Sequence, residues 1–255
     1  MNNSTTVGSR PEPDHDAGVT VHRDNSAIRV LLHRPGRGNS LAPTTVEALH
    51  AAVDIAESSP GVSALILEAR GRAFCAGVDV DAVRPLLPNR DQAEHFFDRG
   101  RLLTTRLATS PLVVVAAVDG LAAAGGLELV AACDLVLATR RARFADRHVR
   151  NGFVPAFGAT ARLVRRVGSG PAAWLLLGDA EWSAEDAQRV GLVSMIVQDD
   201  EALHVEIEAL VGRIGGLDTT ALRVTKSLLA MEDPADAMER ERVAVGEHLR
   251  AGRYG

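Results

Sequence analysis

Cysteines, long apolar runs and an excess of basic residues are what this 255-residue sequence lacks. The only two cysteines, Cys75 and Cys133, form no CxxC pair and no Cys/His cluster at zinc spacing. A disulfide framework and a structural metal therefore have no support, and a reducing, cytoplasmic setting is expected. Uncharged apolar runs such as residues 111–118 fall far short of the roughly 20 residues of a membrane-spanning helix. The formal charge is -5, with both signs mixed along the chain, so neither a phosphate-backbone footprint nor a polybasic membrane anchor is expected. Two catalytic signatures are also missing. Ser169 has Val167 two positions before it, so there is no G-x-S-x-G nucleophile turn, and Gly120, Gly125 and Gly126 have neither dinucleotide-binding nor Walker spacing. Residues 1–18 are polar and Pro-containing with no apolar h-region, which reads as a disordered tail rather than a signal peptide.

What is present is alternation. Residues 19–23 and 27–33 are β-rich runs around Asp24-Asn25-Ser26, a hairpin pattern. Residues 42–58 carry apolar residues at helical spacing up to Pro60-Gly61. Short buried strands are expected at 63–68, 112–118, 135–138 and 192–197, with helices within 91–109, after Gly125-Gly126, and at 219–231 and 234–250. Strands alternating with helices predict an α/β fold. The expected organisation is a tail (1–18), an α/β core (19–200) and a C-terminal helical region (201–255).

Two glycine-rich turns follow buried strands: Arg72-Ala73-Phe74-Cys75-Ala76-Gly77-Val78-Asp79, and Asp119-Gly120-Leu121-Ala122-Ala123-Ala124-Gly125-Gly126-Leu127-Glu128. Glycine permits positive φ and close backbone approach, and free amides at a helix start point toward an anion. Two such amides converging on one oxygen form an oxyanion hole. Each turn alone is equally consistent with tight strand–helix packing.

Taken together, the turns resemble the crotonase (enoyl-CoA hydratase/isomerase) family. Arg34-Pro35 through Asn39-Ser40-Leu41 extend the likeness, as do Gly125-Gly126-Leu127-Glu128-Leu129 with Cys133-Asp134, Phe144 through Gly152-Phe153-Val154-Pro155 to Gly158, and Ala184-Glu185-Asp186-Ala187 through Gly191-Leu192-Val193. The segments run in family order over most of residues 19–250. The resemblance implies a ClpP/crotonase-like spiral of ββα units with a helical C-terminal region, assembled as a homotrimer or dimer of trimers. It also implies an acyl-CoA thioester substrate that brings coenzyme A with it, and no separate cofactor. Carried over residue by residue, the oxyanion hole is the amides of Val78 and Gly125, with Ala76 and Gly77 in the same coenzyme A-binding turn. Arg37 falls near the nucleotide, or is a solvated loop arginine; Lys226 falls at a nucleotide-contact position, with a surface lysine the plainer reading.

Glu128 is the leading acid/base candidate, one helical turn beyond Gly125; the plain alternative is a glutamate favouring the helix dipole. Twenty residues further on, where family hydratases carry a second glutamate, stands His148. An imidazole can exchange a proton near neutral pH, or it marks a site without hydration chemistry. Asp146, two residues away, would point oppositely along an extended strand and is not expected to orient it. Cys75 reads as packing, and His15, His22, His33, His50, His95, His204 and His248 as surface or loop residues. The stretch 80–110, with Pro85-Leu86-Leu87-Pro88 and Phe96-Phe97, together with Phe153 and Phe157, is expected to line an acyl pocket. The function expected is hydration or dehydration of a 2-enoyl-CoA. The alternatives are single-base isomerisation, decarboxylation or C–C hydrolysis on the same fold, and non-catalytic acyl-CoA binding.

Overall fold

The computed structural model describes residues 17–230 and 234–250. The expected tail lies outside the described residues as far as position 16. Ala17 is already buried and its carbonyl accepts from Thr45 Oγ1 at 2.9 Å, so ordered structure starts before residue 19.

The chain winds through repeated units of a long strand, a short strand and a helix. The long strands are β1 (Val19–Asp24), β2 (Ala27–Leu32), β3 (Ala64–Ala69), β5 (Val113–Val118), β7 (Leu135–Thr139) and β10 (Met195–Val197), side by side in the order β1-β2-β3-β5-β7-β10. Within this sheet only the β1–β2 hairpin is antiparallel, closed by Asn25-Ser26 with Asn25 at φ 50°. Every other pair in this sheet is parallel. The short strands β4 (Ala73–Cys75), β6 (Leu121–Ala123), β8 (Arg143–Ala145) and β9 (Glu181–Ser183) make a second sheet in the order β4-β6-β8-β9. This is the spiral of ββα units that the sequence resemblance implies.

A parallel sheet covered on both faces needs apolar residues on both faces of its strands. Leu65 and Leu67 of β3 therefore enter the main core, while Ala64 and Ile66 enter a second cluster with Leu203, Ile207, Val211 and Ile214. Those last four lie on α8 (Asp200–Gly215), so the helical C-terminal part begins as a cover for the sheet itself. The helices α1 (Pro43–Ser58), α3 (Arg90–Thr109) and α4 (Gly125–Ala132) follow the first, second and third units. The short α2 (Val80–Val83) leads into α3, and α5 (Ala159–Val167), α6 (Ser169–Leu177) and α7 (Ala184–Arg189) follow β8. The last described elements are α9 (Thr219–Leu229) and α10 (Pro234–Arg250).

Lys226 is not a surface residue. Its Nζ donates to Leu112 O at 2.7 Å and lies 2.6 Å from Asp134 Oδ2, which ties α9 to the start of β5. His50 is likewise buried, against Arg99 O at 3.0 Å. Among the described residues no helix is long and apolar enough to cross a membrane.

Candidate active site

The two glycine turns emerge from neighbouring strands of the small sheet, since β4 pairs with β6, and the fold presses them together. In the first turn, Leu41 N donates to Gly77 O at 2.7 Å and Asp79 N donates to Leu41 O at 3.0 Å. Successive amides of an extended segment face opposite ways, so the Val78 amide between these two bonds points away from Leu41. Asn39, buried, steadies the turn by donating Nδ2 to Arg70 O and Ala73 O at 2.9 and 2.7 Å.

In the second turn Ala124 sits at φ 47°, ψ −118°, a conformation that costs a residue with a Cβ about 1–3 kcal/mol. It is held there by its amide, which donates to Ala145 O at 3.0 Å, and by its carbonyl, which accepts Glu128 N at 3.0 Å. The bend delivers the unpaired amides of the first turn of α4 toward Gly77. A Cβ on Gly77 would lie 2.8 Å from Ala124 Cβ and 3.4 Å from Gly125 N, and one on Gly126 would lie 2.1 Å from Cys75 O. Both positions admit only glycine if the turns are to meet. Cys75 itself is packing, its thiol pushed up to about 12 by burial.

Glu128 is 2 % exposed. Its Oε1 accepts from Phe157 N at 2.8 Å and from Ala159 N at 3.0 Å, which leaves Oε2 free to face His148 Nε2 at 3.7 Å. Burial raises its pKa, against the opposing pull of the Ala159 amide, the His148 charge and the Phe157 amide. His148 stands at the head of a 3-10 turn, Val149–Asn151. For its ring, burial acts to lower the pKa, but the bond to Asp146 and the charges of Glu128 and Asp146 outweigh it, and the net shift is upward.

The expectation for Asp146 needs correction. Its Oδ1 lies 2.8 Å from His148 Nδ1 and its Oδ2 accepts His148 N at 3.2 Å. Strand alternation fails here because β8 ends at Ala145 and Arg147 adopts φ 65°, curling the chain so that residues 146 and 148 share a side.

Val78, Ala124, Glu128 and His148 all border one cleft of about 540 Å³, a size that suits a small organic ligand. Leu87, Phe97, Phe153 and Phe157 line it as well. Leu86 and Phe96 do not: they line a separate cavity of about 1100 Å³ against α1, so one residue of each adjacent pair borders the cleft and the other does not. Phe157 is fixed by edge-on packing with Phe96 at 6.0 Å and by its carbonyl, which accepts Thr104 Oγ1 at 2.6 Å. Arg37 lies off the cleft in the turn Pro35–Arg37, paired with Asp81 at 3.0 Å where both side chains are more than half exposed; such a pair is worth little and is readily exchanged for another anion.

Comparison with known proteins places these features in context. The profile of the enoyl-CoA hydratase/isomerase family matches residues 22–244. The crotonyl-CoA hydratase of Syntrophomonas wolfei is 32% identical over 210 residues, 82% of this chain and 80% of that protein. The crystal structure of an enoyl-CoA hydratase from Mycobacterium smegmatis superposes with a TM-score of 0.85 at 32% identity, covering 91% of each chain. That of a Thermobifida fusca protein in complex with acetoacetyl-CoA superposes with a TM-score of 0.84 at 25% identity, covering 94% of this chain and all of the other.

Proposed function

The chain belongs to the enoyl-CoA hydratase/isomerase family, and from that premise we propose that it hydrates a 2-enoyl-CoA thioester, or dehydrates the 3-hydroxy product. The observation that carries this reading is the pairing of Glu128 Oε2 with His148 Nε2 at 3.7 Å on the wall of the cleft. The separation is too long for a strong direct hydrogen bond, so both groups are available to a third partner between them.

Hydration needs an electron sink, a base and an acid. The thioester carbonyl supplies the sink once its oxygen accepts from the Val78 and Gly125 amides, each worth about 3–4 kcal/mol to the developing enolate. Glu128 Oε2 takes a proton from water as the hydroxyl adds to C3. His148, as an imidazolium, then delivers the Nε2 proton to C2, so one H and one OH are added in all. The proton left on Glu128 Oε2 passes back to His148 Nε2, which it faces at 3.7 Å, before the next turnover. The upward shifts suit these roles: a raised carboxylate is a stronger base, and a raised imidazole keeps its proton to higher pH than a free one. Single-base isomerisation would leave one of the two groups idle, and a pure binder would need neither.

Coenzyme A enters only as part of the substrate, with Ala76, Gly77 and Val78 along it and Arg37 near its phosphates. A trimer or dimer of trimers, a cytoplasmic setting and a place in fatty acid metabolism complete the proposal.

The test is incubation with crotonyl-CoA in D2O. Loss of the enoyl absorbance with formation of 3-hydroxybutyryl-CoA carrying deuterium at C2 is expected. Tight thioester binding with no product across a panel of 2-enoyl chain lengths would overturn hydration.

A further inference from the structure

The His148 ring has two nitrogens with different partners. Nδ1 meets Asp146 Oδ1 at 2.8 Å; a carboxylate can only accept, so the proton sits on Nδ1 and the neutral ring is fixed as the Nδ1–H tautomer. Nε2 is thereby directed at Glu128 Oε2. Asp146 is 1 % exposed and both of its oxygens are engaged by residue 148. It does not border the cleft, so it acts on a ligand only through the imidazole.

Its placement is coupled to the other half of the site. Ala145 O, one residue earlier, accepts the Ala124 amide, so the end of β8 holds the bend that presents Gly125 and the carboxylate that holds His148. Other charges around the ring are committed elsewhere. Arg147 pairs with Glu181 at 2.6 Å, Arg150 with Asp179, and on α3 across the cleft Arg101 pairs with Asp98 at 2.6 Å. Glu94, also on α3, pairs with Arg90 at 2.6 Å, Arg84 with Asp81 at 3.8 Å, and Arg162 of α5 donates to Phe157 O at 2.7 Å. Among the described residues Asp146 alone bonds the His148 ring, and Glu128 alone faces its far nitrogen.

We propose that Asp146 is a positioning residue for the hydration step: it keeps the Nδ1 proton of His148 in place, so that Nε2 is the nitrogen that takes up, and as the imidazolium gives, the proton that goes to C2. The proposal rests on the hydratase reading above. Asp146→Asn keeps the shape but removes the charge, and sets an N–H against a donor on residue 148. Loss of the correct tautomer at an analogous Asp–His pair lowers kcat by as much as ~10⁴-fold, so a fall in kcat of at least about 10-fold is expected here, with KM little changed. The active form needs a protonated ring, and the carboxylate sustains that proton. Removing its charge therefore moves the basic limb of the kcat–pH profile to lower pH.

The test combines that profile for wild type and Asp146→Asn with 15N NMR of the His148 ring, assigned by loss of its signals in His148→Ala. A protonated Nδ1 in the deprotonated wild-type ring, a lowered kcat and an acid-shifted limb in the variant are expected. An Nε2–H tautomer in wild type, or unchanged kcat and limb in the variant, would overturn the proposal. If Asp146→Asn does not fold, the wild-type tautomer decides. If wild type hydrates no enoyl thioester the hydratase reading falls, and with it the role given to Asp146 in that step, whereas the ring NMR still reports whether Asp146 fixes the tautomer.

Discussion

Two glycine-to-alanine substitutions, chemically identical, are expected to act in opposite directions. Gly126 lies in the first turn of α4, where an added Cβ would sit 2.1 Å from Cys75 O and 2.8 Å from Cys75 Cβ. Gly212 lies in α8, exposed, with nothing within 4 Å of an added Cβ. At both positions alanine gains about 1 kcal/mol of helix propensity. At Gly126 that gain is set against overpacking of about 1–3 kcal/mol. The clash is with backbone that cannot rotate away, so the upper end applies and a net loss of about 2 kcal/mol results. For a chain of this length the change corresponds to a Tm lower by roughly 4–8 °C, whereas Gly212→Ala raises Tm by roughly 2–4 °C. Relieving the clash separates α4 from β4 by about 1 Å, a misplacement that costs about 10²-fold in rate where reacting groups must be aligned. Gly126→Ala should therefore lose turnover of crotonyl-CoA while Gly212→Ala keeps it. Calorimetry and initial rates on the two variants check this. A Gly126→Ala protein as stable and active as wild type would refute the close approach on which the two-turn arrangement depends.

Three further outcomes follow from charge and burial. The Glu128 pKa is raised in the folded chain, so its protonated form is the one folding favours; that stability is present below the ordinary carboxyl value of 4.5 and is lost as pH rises through the folded value. Glu128→Gln should accordingly raise Tm at pH 8, with the advantage shrinking toward pH 4.5, even as turnover falls by about 10²–10⁴-fold. The His148 shift is also upward from 6.5, and for this cation the stabilisation is present below 6.5 and lost above the folded value. His148→Ala should therefore cost more stability at pH 6 than at pH 9 in thermal melts. Arg29, buried, joins Asp24 at 3.0 Å with Glu68 and Glu208, and burial already raises the Glu68 pKa. Arg29→Met strands that carboxylate and should cost about 3 kcal/mol in urea unfolding at pH 7, a deficit that fades on acidification as Glu68 takes up a proton.

The long strands and helices were legible because their signals extend over whole elements. The hairpin at Asn25-Ser26, the buried runs of β3 and β5 and the helix after Gly125 follow from periodicity and turn chemistry. The small sheet was not legible. Its strands β4, β6, β8 and β9 are three residues each, too short to show alternation, yet they are what brings the two glycine turns side by side. Glu128 and His148 were visible as candidates from their positions in the motif, and the structure brings them together. The role of Asp146 was missed because a strand rule was applied one residue past the strand's end; a left-handed Arg147 leaves no mark in its side-chain type. Lys226 was misread because a lysine on an amphipathic helix looks solvated unless its buried acceptors, Leu112 O and Asp134, are known.

The central claim is that Glu128 and His148 work as one proton-transfer unit, and a double-mutant cycle tests it most directly. Rates with crotonyl-CoA would be measured for wild type, Glu128→Gln, His148→Ala and the double variant. Groups acting together are strongly non-additive, so each single change should lose about 10²-fold or more and the double variant little beyond the worse single. Independent, additive losses, or a wild-type rate untouched by either substitution, would contradict the account.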